Sequence, residues 1–411
     1  MTMKKILLSA LGAFLLSTPA LAQDKVFVGH MVDYTGATAF VGTEYGPGVR
    51  DAIDFVNANG GIDGTMIEME TVDYAYKIAE AIAHYKRWTS RHGMVAMQGW
   101  GTADTEALIT FVARDKVPVW SASYSAHLTD PQKLNPNTKK AAPYNFFYGP
   151  SYSDGCRAMV QWAADDAKEK GIDNPKFVYT GDNHPYPNAP KKACMEFATE
   201  LGFEVLNPVI VPLKPGDFKA QCLTIKQGGA QYAYVGNLGG SVISLLKSCD
   251  TVGTDVTYMA NIWGGGYKTI EATQTQGYIF PSASPFWEQE APGMETVREI
   301  AALADRDVVA DKPTHHYIRG ICSAMYMVDA MKYAKANGGI TGENIRKGTY
   351  ATQDWVPEGM EGVCLPSTWT DKDHRGTTRV SINSGSFVDG KVQIEKLRTI
   401  VLPRRADWLG Q

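Results

Sequence analysis

Short apolar strands alternate with amphipathic helices along this chain, and the alternation runs twice; that rhythm limits the possible folds more than any other feature. In the first round, strands are predicted over 25–32, 67–73, 94–98 and 117–121. A helix over 45–57 buries Val49, Ala52, Ile53 and Val56, a second carries Ile78, Ile82 and Tyr85 on one face, and a third covers 105–114. The second round has a helix over 154–170 with Cys156, Met159, Val160, Ala163 and Ala167 inward. Strands over 176–180, 204–211 and 232–236 then alternate with helices over 190–201, 218–227 and 242–248. Repeated strand–helix units with short connections build parallel sheets covered by helices on both faces. Two rounds predict two such lobes, and 411 residues exceed the ~250–300 that one core usually holds. Beyond Thr257 come strand-like pieces at 256–259 and 277–280 and a long helix over 315–336. The alternating stretch from Thr378 is expected to complete or buttress either sheet.

The first residues stand outside this pattern. Lys4 and Lys5 precede an apolar stretch from Ile6 to Leu16, and Ala20-Leu21-Ala22 supplies small residues where a signal peptidase needs them. A secretory signal over 1–22, cut after Ala22, is expected. The stretch is shorter than the ~20 residues that span a bilayer. The mature protein is therefore expected in the periplasm.

Charge and motifs narrow the function. A net charge of -4, without basic clusters, argues against nucleic-acid binding. Gly99-x-Gly101 follows a strand, but the third position of a dinucleotide fingerprint falls on Asp104, whose carboxylate would repel a pyrophosphate. The chain has no Walker motif, no Gly-x-Ser-x-Gly elbow and no His-Glu-x-x-His helix. His315 and His316 are adjacent, so a helix points them about 100 degrees apart, which is poor metal geometry. No cofactor, metal or catalytic residue is expected. An exported α/β hydrolase stays as an alternative, because triads assemble from distant residues.

The six cysteines, Cys156, Cys194, Cys222, Cys249, Cys322 and Cys364, lie beyond the signal and are even in number. Export permits disulfides, but six cysteines allow 15 pairings. Sequential pairing, 156–194, 222–249 and 322–364, is expected, with free buried thiols as the alternative.

Ligands of open α/β sheets sit beyond the carboxyl ends of the strands. Those ends carry Tyr34-Thr35-Gly36, Trp100-Gly101-Thr102 and Ala122-Ser123-Tyr124 in the first round, and His184-Pro185-Tyr186 and Gly236-Asn237 in the second. Hydroxyls and glycine amides suit a carboxylate, and tyrosine and tryptophan supply flat apolar walls with a polar edge. The expected ligand is a small molecule with an acidic head and an apolar or aromatic body.

The segments 57–64 (Asn-Ala-Asn-Gly-Gly-Ile-Asp-Gly) and 341–346 (Thr-Gly-Glu-Asn-Ile-Arg), with Thr35-Gly36 after the first strand, carry a resemblance. The chain resembles the periplasmic solute-binding proteins of branched-chain amino acid type, the partners of ABC importers. The resemblance implies a type I fold of two lobes joined by three crossovers: 24–142 with 280–365, and 143–279 with 366–411. It implies a membrane permease as partner, and a monomer is expected. It also implies that Trp100, Thr102, Ala122, Ser123 and Tyr124 face the ligand head from the first lobe. Tyr152, Tyr186, Asn237 and Asn261-Ile262-Trp263 would close from the second. Amino-acid binders of this kind place an acidic residue near the last segment to pair with the ammonium. Here Asn261 and Trp263 stand there, with no carboxylate from Thr257 to Ile270, and only Asp182 or Glu271 left to reach in. An unpaired buried ammonium is costly. A carboxylate without an amino group, aromatic in body, is therefore expected; a branched-chain or other amino acid or amide is the alternative. A sensor that serves a membrane receptor would use the same fold.

Overall fold

The computed structural model describes residues 24–306 and 314–411; the expected signal, 1–22, lies outside the described residues. The first round folds as β1 (Lys25–Val32), α1 (Ala39–Ala58), β2 (Met66–Asp73), α2 (Ile78–His92), β3 (Ala96–Gly99), α3 (Thr102–Asp115), β4 (Val119–Ser121) and β5 (Asn145–Phe147). The strands form one parallel sheet in the order β2-β1-β3-β4-β5. Residues 27–32 of β1 are all buried, as expected for a strand with neighbours on both sides and helices on both faces.

The second round comprises α4 (Tyr152–Glu169), β6 (Lys176–Gly181), α5 (Pro185–Asn188), α6 (Lys191–Glu200), β7 (Glu204–Val205), β8 (Val209–Ile210), α7 (Lys219–Gly228), β9 (Tyr232–Val235), α8 (Gly239–Thr251), β10 (Thr257–Ala260), α9 (Tyr267–Thr273) and β11 (Tyr278–Ser282). The chain then returns to the first lobe with α10 (Met294–Leu303), α11 (His315–Ala336) and α12 (Gly342–Tyr350), and ends in the hairpin β12 (Arg379–Val388) and β13 (Lys391–Val401). The second sheet runs β13-β12-β11-β10-β9-β6-β7, with β8 also on β6. It is parallel through β11 and antiparallel where the hairpin is added, so the alternating tail completes this sheet. β5 carries the first sheet past residue 142 to Phe147, and β11 carries the second past 279 to Ser282.

Where the expectations slipped, packing explains why. Helix α1 begins at Ala39 rather than at 45: Gly42 sits in its first turns, where a Cβ would lie 1.8 Å from the Asp33 carbonyl oxygen, and does not break the helix. A Cβ on Gly48 would lie 2.1 Å from the Tyr317 carbonyl oxygen, and one on Gly320 would lie 2.2 Å from that of Tyr45. Backbone contact at these two glycines lets α1 and α11 press together. In α2 the buried stripe is Ala81, Tyr85 and Trp88, whereas Ile78 is exposed. Trp88 is held inward by a bond from Nε1 to Glu70 Oε2 of 3.0 Å. The strand expected over 204–211 is two short pieces, β7 and β8.

The six cysteines pair as 156–194, 222–249 and 322–364. The first two pairs tie α4 to α6 and α7 to α8; the third ties α11 to the loop before β12. At the junction of the lobes, the Tyr148 hydroxyl donates to the Ala283 carbonyl and accepts the Leu365 N–H at 2.9 Å. One buried phenol thus joins three stretches of chain that pass between the sheets.

Candidate functional site

The loop after β1 is organised by Asp33. Its Oδ2 accepts the Thr38 amide at 2.8 Å and hydroxyl at 2.7 Å, and Oδ1 accepts the Gly36 amide. Thr38, so fixed, accepts the Trp100 Nε1–H at 2.8 Å, which sets the indole between the lobes. Behind it, the Ser123 hydroxyl donates to Thr102 Oγ1 at 3.0 Å. From the other lobe, Tyr152 opens α4 and its hydroxyl accepts the Trp263 Nε1–H at 2.9 Å. Asn261 Oδ1 accepts both the Trp263 amide, at 2.7 Å, and the Tyr186 hydroxyl, at 3.0 Å. Burial holds the Tyr152 and Tyr186 hydroxyls above the ordinary phenol range, so both act as neutral donors.

Trp100, Tyr152, Tyr186 and Trp263 line a small cavity of about 20 Å³, together with Thr38, Val41, Tyr76, Gly101, Thr102, Ala122 and Leu238. Among the described residues, no charged side chain lines it. Six of the expected residues meet there: Trp100, Thr102, Ala122, Tyr152, Tyr186 and Trp263. Five do not line it. Tyr34 turns away toward α1, where a Cβ on Gly46 would lie 2.7 Å from its hydroxyl. Ser123 stands behind Thr102. Asn237 directs its amide nitrogen to the Val211 carbonyl and Ser241, each at 2.8 Å, while its Oδ1 accepts the Asp182 amide. Asn261 positions Trp263 and Tyr186. Tyr124 packs tilted behind Trp263, with ring centroids 5.1 Å apart. The two carboxylates with possible reach are elsewhere: Asp182 accepts the His184 and Leu213 amides at 3.1 and 2.6 Å, and Glu271 is exposed.

Sequence reasoning placed Gly101 at the strand end but missed Thr38, Val41, Leu238 and, above all, Tyr76. Tyr76 follows the carboxyl end of β2, so the strand-end rule that selected Trp100 also covers it. Ala75 and Tyr76 have φ of 49° and 56°, a conformation uncommon outside glycine that suggests a constrained site. The turn presents two phenols to the start of α3. The Gly101 N–H donates to the Tyr74 hydroxyl at 3.2 Å, and the Thr102 N–H to the Tyr76 hydroxyl at 3.0 Å. Glycine is required at 101, because a Cβ there would lie 1.8 Å from the Tyr76 ring. The Tyr74 hydroxyl in turn donates to Asp104 Oδ1 at 2.8 Å. Burial pushes the Asp104 carboxyl up to about 7, against the opposing pull of that bond. Tyr76 also meets His184 of the second lobe, with centroids 5.1 Å apart.

Two α/β lobes with their strand ends turned toward one aromatic-walled cavity define a two-lobed, cleft-type binding protein. The chain belongs to the periplasmic binding protein family, whose model matches residues 25–384. It is similar to an amino acid binding protein of Pseudomonas aeruginosa, 24% identical over 264 residues, or 64% of this chain; the match spans 66% of that relative's length. Among solved structures it is similar to an ABC transporter substrate binding protein of Aeropyrum pernix (25% identity, TM-score 0.79, 94% of this chain and 98% of that one). A branched chain amino acid ABC transporter protein of Thermus thermophilus with bound valine shares the fold (20%, TM-score 0.82, 94% and 98%). So does an R. palustris solute binding protein in complex with 4-hydroxybenzoate (16%, TM-score 0.72, 94% and 99%).

Proposed function

We propose that this chain is an extracytoplasmic solute-binding protein that delivers a small carboxylate-bearing ligand, an aromatic acid, to the permease of an ABC importer. The first lobe is the first sheet with α1–α3 and α10–α12; the second is the second sheet with α4–α9. The observation that carries the reading is the cavity, walled by Trp100, Tyr152, Tyr186 and Trp263 and, among the described residues, without an acidic lining residue. Flat aromatic walls favour a flat apolar body. An ammonium group would find no carboxylate there, at a cost of several kcal/mol. The R. palustris protein with 4-hydroxybenzoate is a precedent in this fold for such a ligand. Closure follows when the solute touches both lobes and so favours the closed arrangement over the open one.

Thermal-shift screening followed by calorimetry tests the reading. Benzoate and 4-hydroxybenzoate are expected to stabilise the protein saturably with one site per chain, by about 2.7 kcal/mol at a hundredfold excess over Kd. Stabilisation by leucine or valine with none by the benzoates overturns the aromatic assignment in favour of amino-acid binding.

A further inference from the structure

Arg319 of α11 is fully buried at the contact between the lobes, yet among the described residues no carboxylate pairs with it. Its Nη1 donates to the Ile262 carbonyl at 2.8 Å and meets His316 Nδ1 at 3.1 Å. Among the described residues its Nε and Nη2 have no partner, and neither do the hydroxyls of Tyr45 and Tyr124. The guanidinium lies 5.2 Å from the Tyr124 ring centroid, and the Trp263 ring covers it at 3.7 Å. Burial and the neighbouring cations hold His315 and His316 well below the usual histidine range, so they add no charge.

A buried, unpaired guanidinium is unfavourable unless something anionic meets it during the working cycle. Two of the groups that now cover Arg319, the Ile262 carbonyl and the Trp263 ring, belong to the second lobe. When the lobes part, they leave with it, and Arg319 faces the cleft beside two phenols. The other donor site for a carboxylate, the start of α3, is occupied from within the first lobe: the Gly101 and Thr102 amides already donate to Tyr74 and Tyr76. Trp263 also lines the aromatic cavity, so it stands between that cavity and Arg319.

We propose that Arg319 is the residue that reads the ligand's carboxylate, with the Tyr45 and Tyr124 hydroxyls as co-donors and Trp263 closing over the bound acid. The assignment rests on the solute-binding reading above and deepens it, by moving the head group from the α3 terminus to α11. A guanidinium with two free N–H groups matches a carboxylate bidentately. A neutral amide offers one uncharged acceptor oxygen and gains neither the second bond nor the ion pair.

Calorimetry of the disulfide-bonded mature protein with benzoate, its neutral counterpart benzamide, and leucine tests this. Wild type is expected to prefer benzoate over benzamide strongly. Arg319→Gln is expected to weaken benzoate roughly 100-fold and benzamide by less than roughly tenfold, and Tyr124→Phe to weaken benzoate roughly tenfold. Near-UV circular dichroism checks the fold; if Arg319→Gln does not fold, Arg319→Lys and Tyr124→Phe decide instead. A folded Arg319→Gln, or in its place Arg319→Lys together with Tyr124→Phe, that keeps wild-type benzoate affinity overturns the Arg319 assignment alone. If wild type binds leucine and not benzoate, the aromatic reading falls, and the same variants measured with leucine still decide Arg319. Binding of benzamide alone overturns the carboxylate, and binding of none of the three overturns both readings.

Discussion

Glu44 of α1 pairs with Lys268 of α9, and the pair crosses from one lobe to the other. Glu44 is almost fully buried and also accepts the Thr314 hydroxyl at 2.5 Å, whereas the Lys268 side chain is 48% exposed. The bridge thus sits at the solvent edge of the contact, with its acid buried and its base half exposed. Lys268→Ala is expected to speed release of bound benzoate by roughly two- to fivefold, the range for a half-exposed pair. The difference from wild type should shrink in high salt. Stopped-flow dissociation at two ionic strengths measures this; an unchanged release rate removes the pair from the closing contacts.

Trp100 is the wall that joins the first lobe's loops, through its bond to Thr38. Trp100→Ala is expected to weaken binding about 100-fold, as for a buried aromatic anchor. Thr38→Val frees the indole but keeps it, and should cost about three- to tenfold. Calorimetry with benzoate separates the two. An unchanged Kd for Trp100→Ala places the ligand elsewhere.

The Asp104 carboxyl, raised by burial to about 7, makes stability depend on pH. A raised folded-state value favours the native protein fully below about pH 4, and the benefit is lost as pH climbs through about 7. The stability difference between Asp104→Asn and wild type should therefore move in the variant's favour between pH 4 and pH 8, by roughly 2–4 kcal/mol. Urea unfolding at both pH values reads it. A pH-independent difference contradicts the shift.

Of the three disulfides, the Cys322–Cys364 pair closes the largest loop, with a sequence separation of 42, and links α11 to the chain before β12. The paired change to serine is expected to cost roughly 4 kcal/mol through the freed unfolded chain. Thermal unfolding with and without reductant checks it, and an unaltered Tm contradicts a structural role.

Much of the architecture was legible because apolar periodicity reports what each element buries. α11 falls on its predicted 315–336 range, and β1 on 25–32. What stayed hidden depends on which groups meet across space. Residues 315–328 of α11 are buried on every side, so Arg319 carried no polar face to mark it. The predicted helix started too late, at 45, because Gly42 makes room for the Asp33 carbonyl, a contact across space that the sequence pattern does not mark. Tyr34 and Tyr76 are both strand-end tyrosines, and only the backbone turn at Ala75 and Tyr76 decides that the second reaches the cavity and the first does not.

The central claim is that two lobes shut around one small acid. Small-angle scattering of the mature protein, recorded without solute and with saturating benzoate, tests it most directly. The particle should contract on addition, with a lower radius of gyration and a shorter maximum dimension. Calorimetric binding of benzoate with superimposable scattering curves contradicts closure, and leaves a rigid receptor in its place.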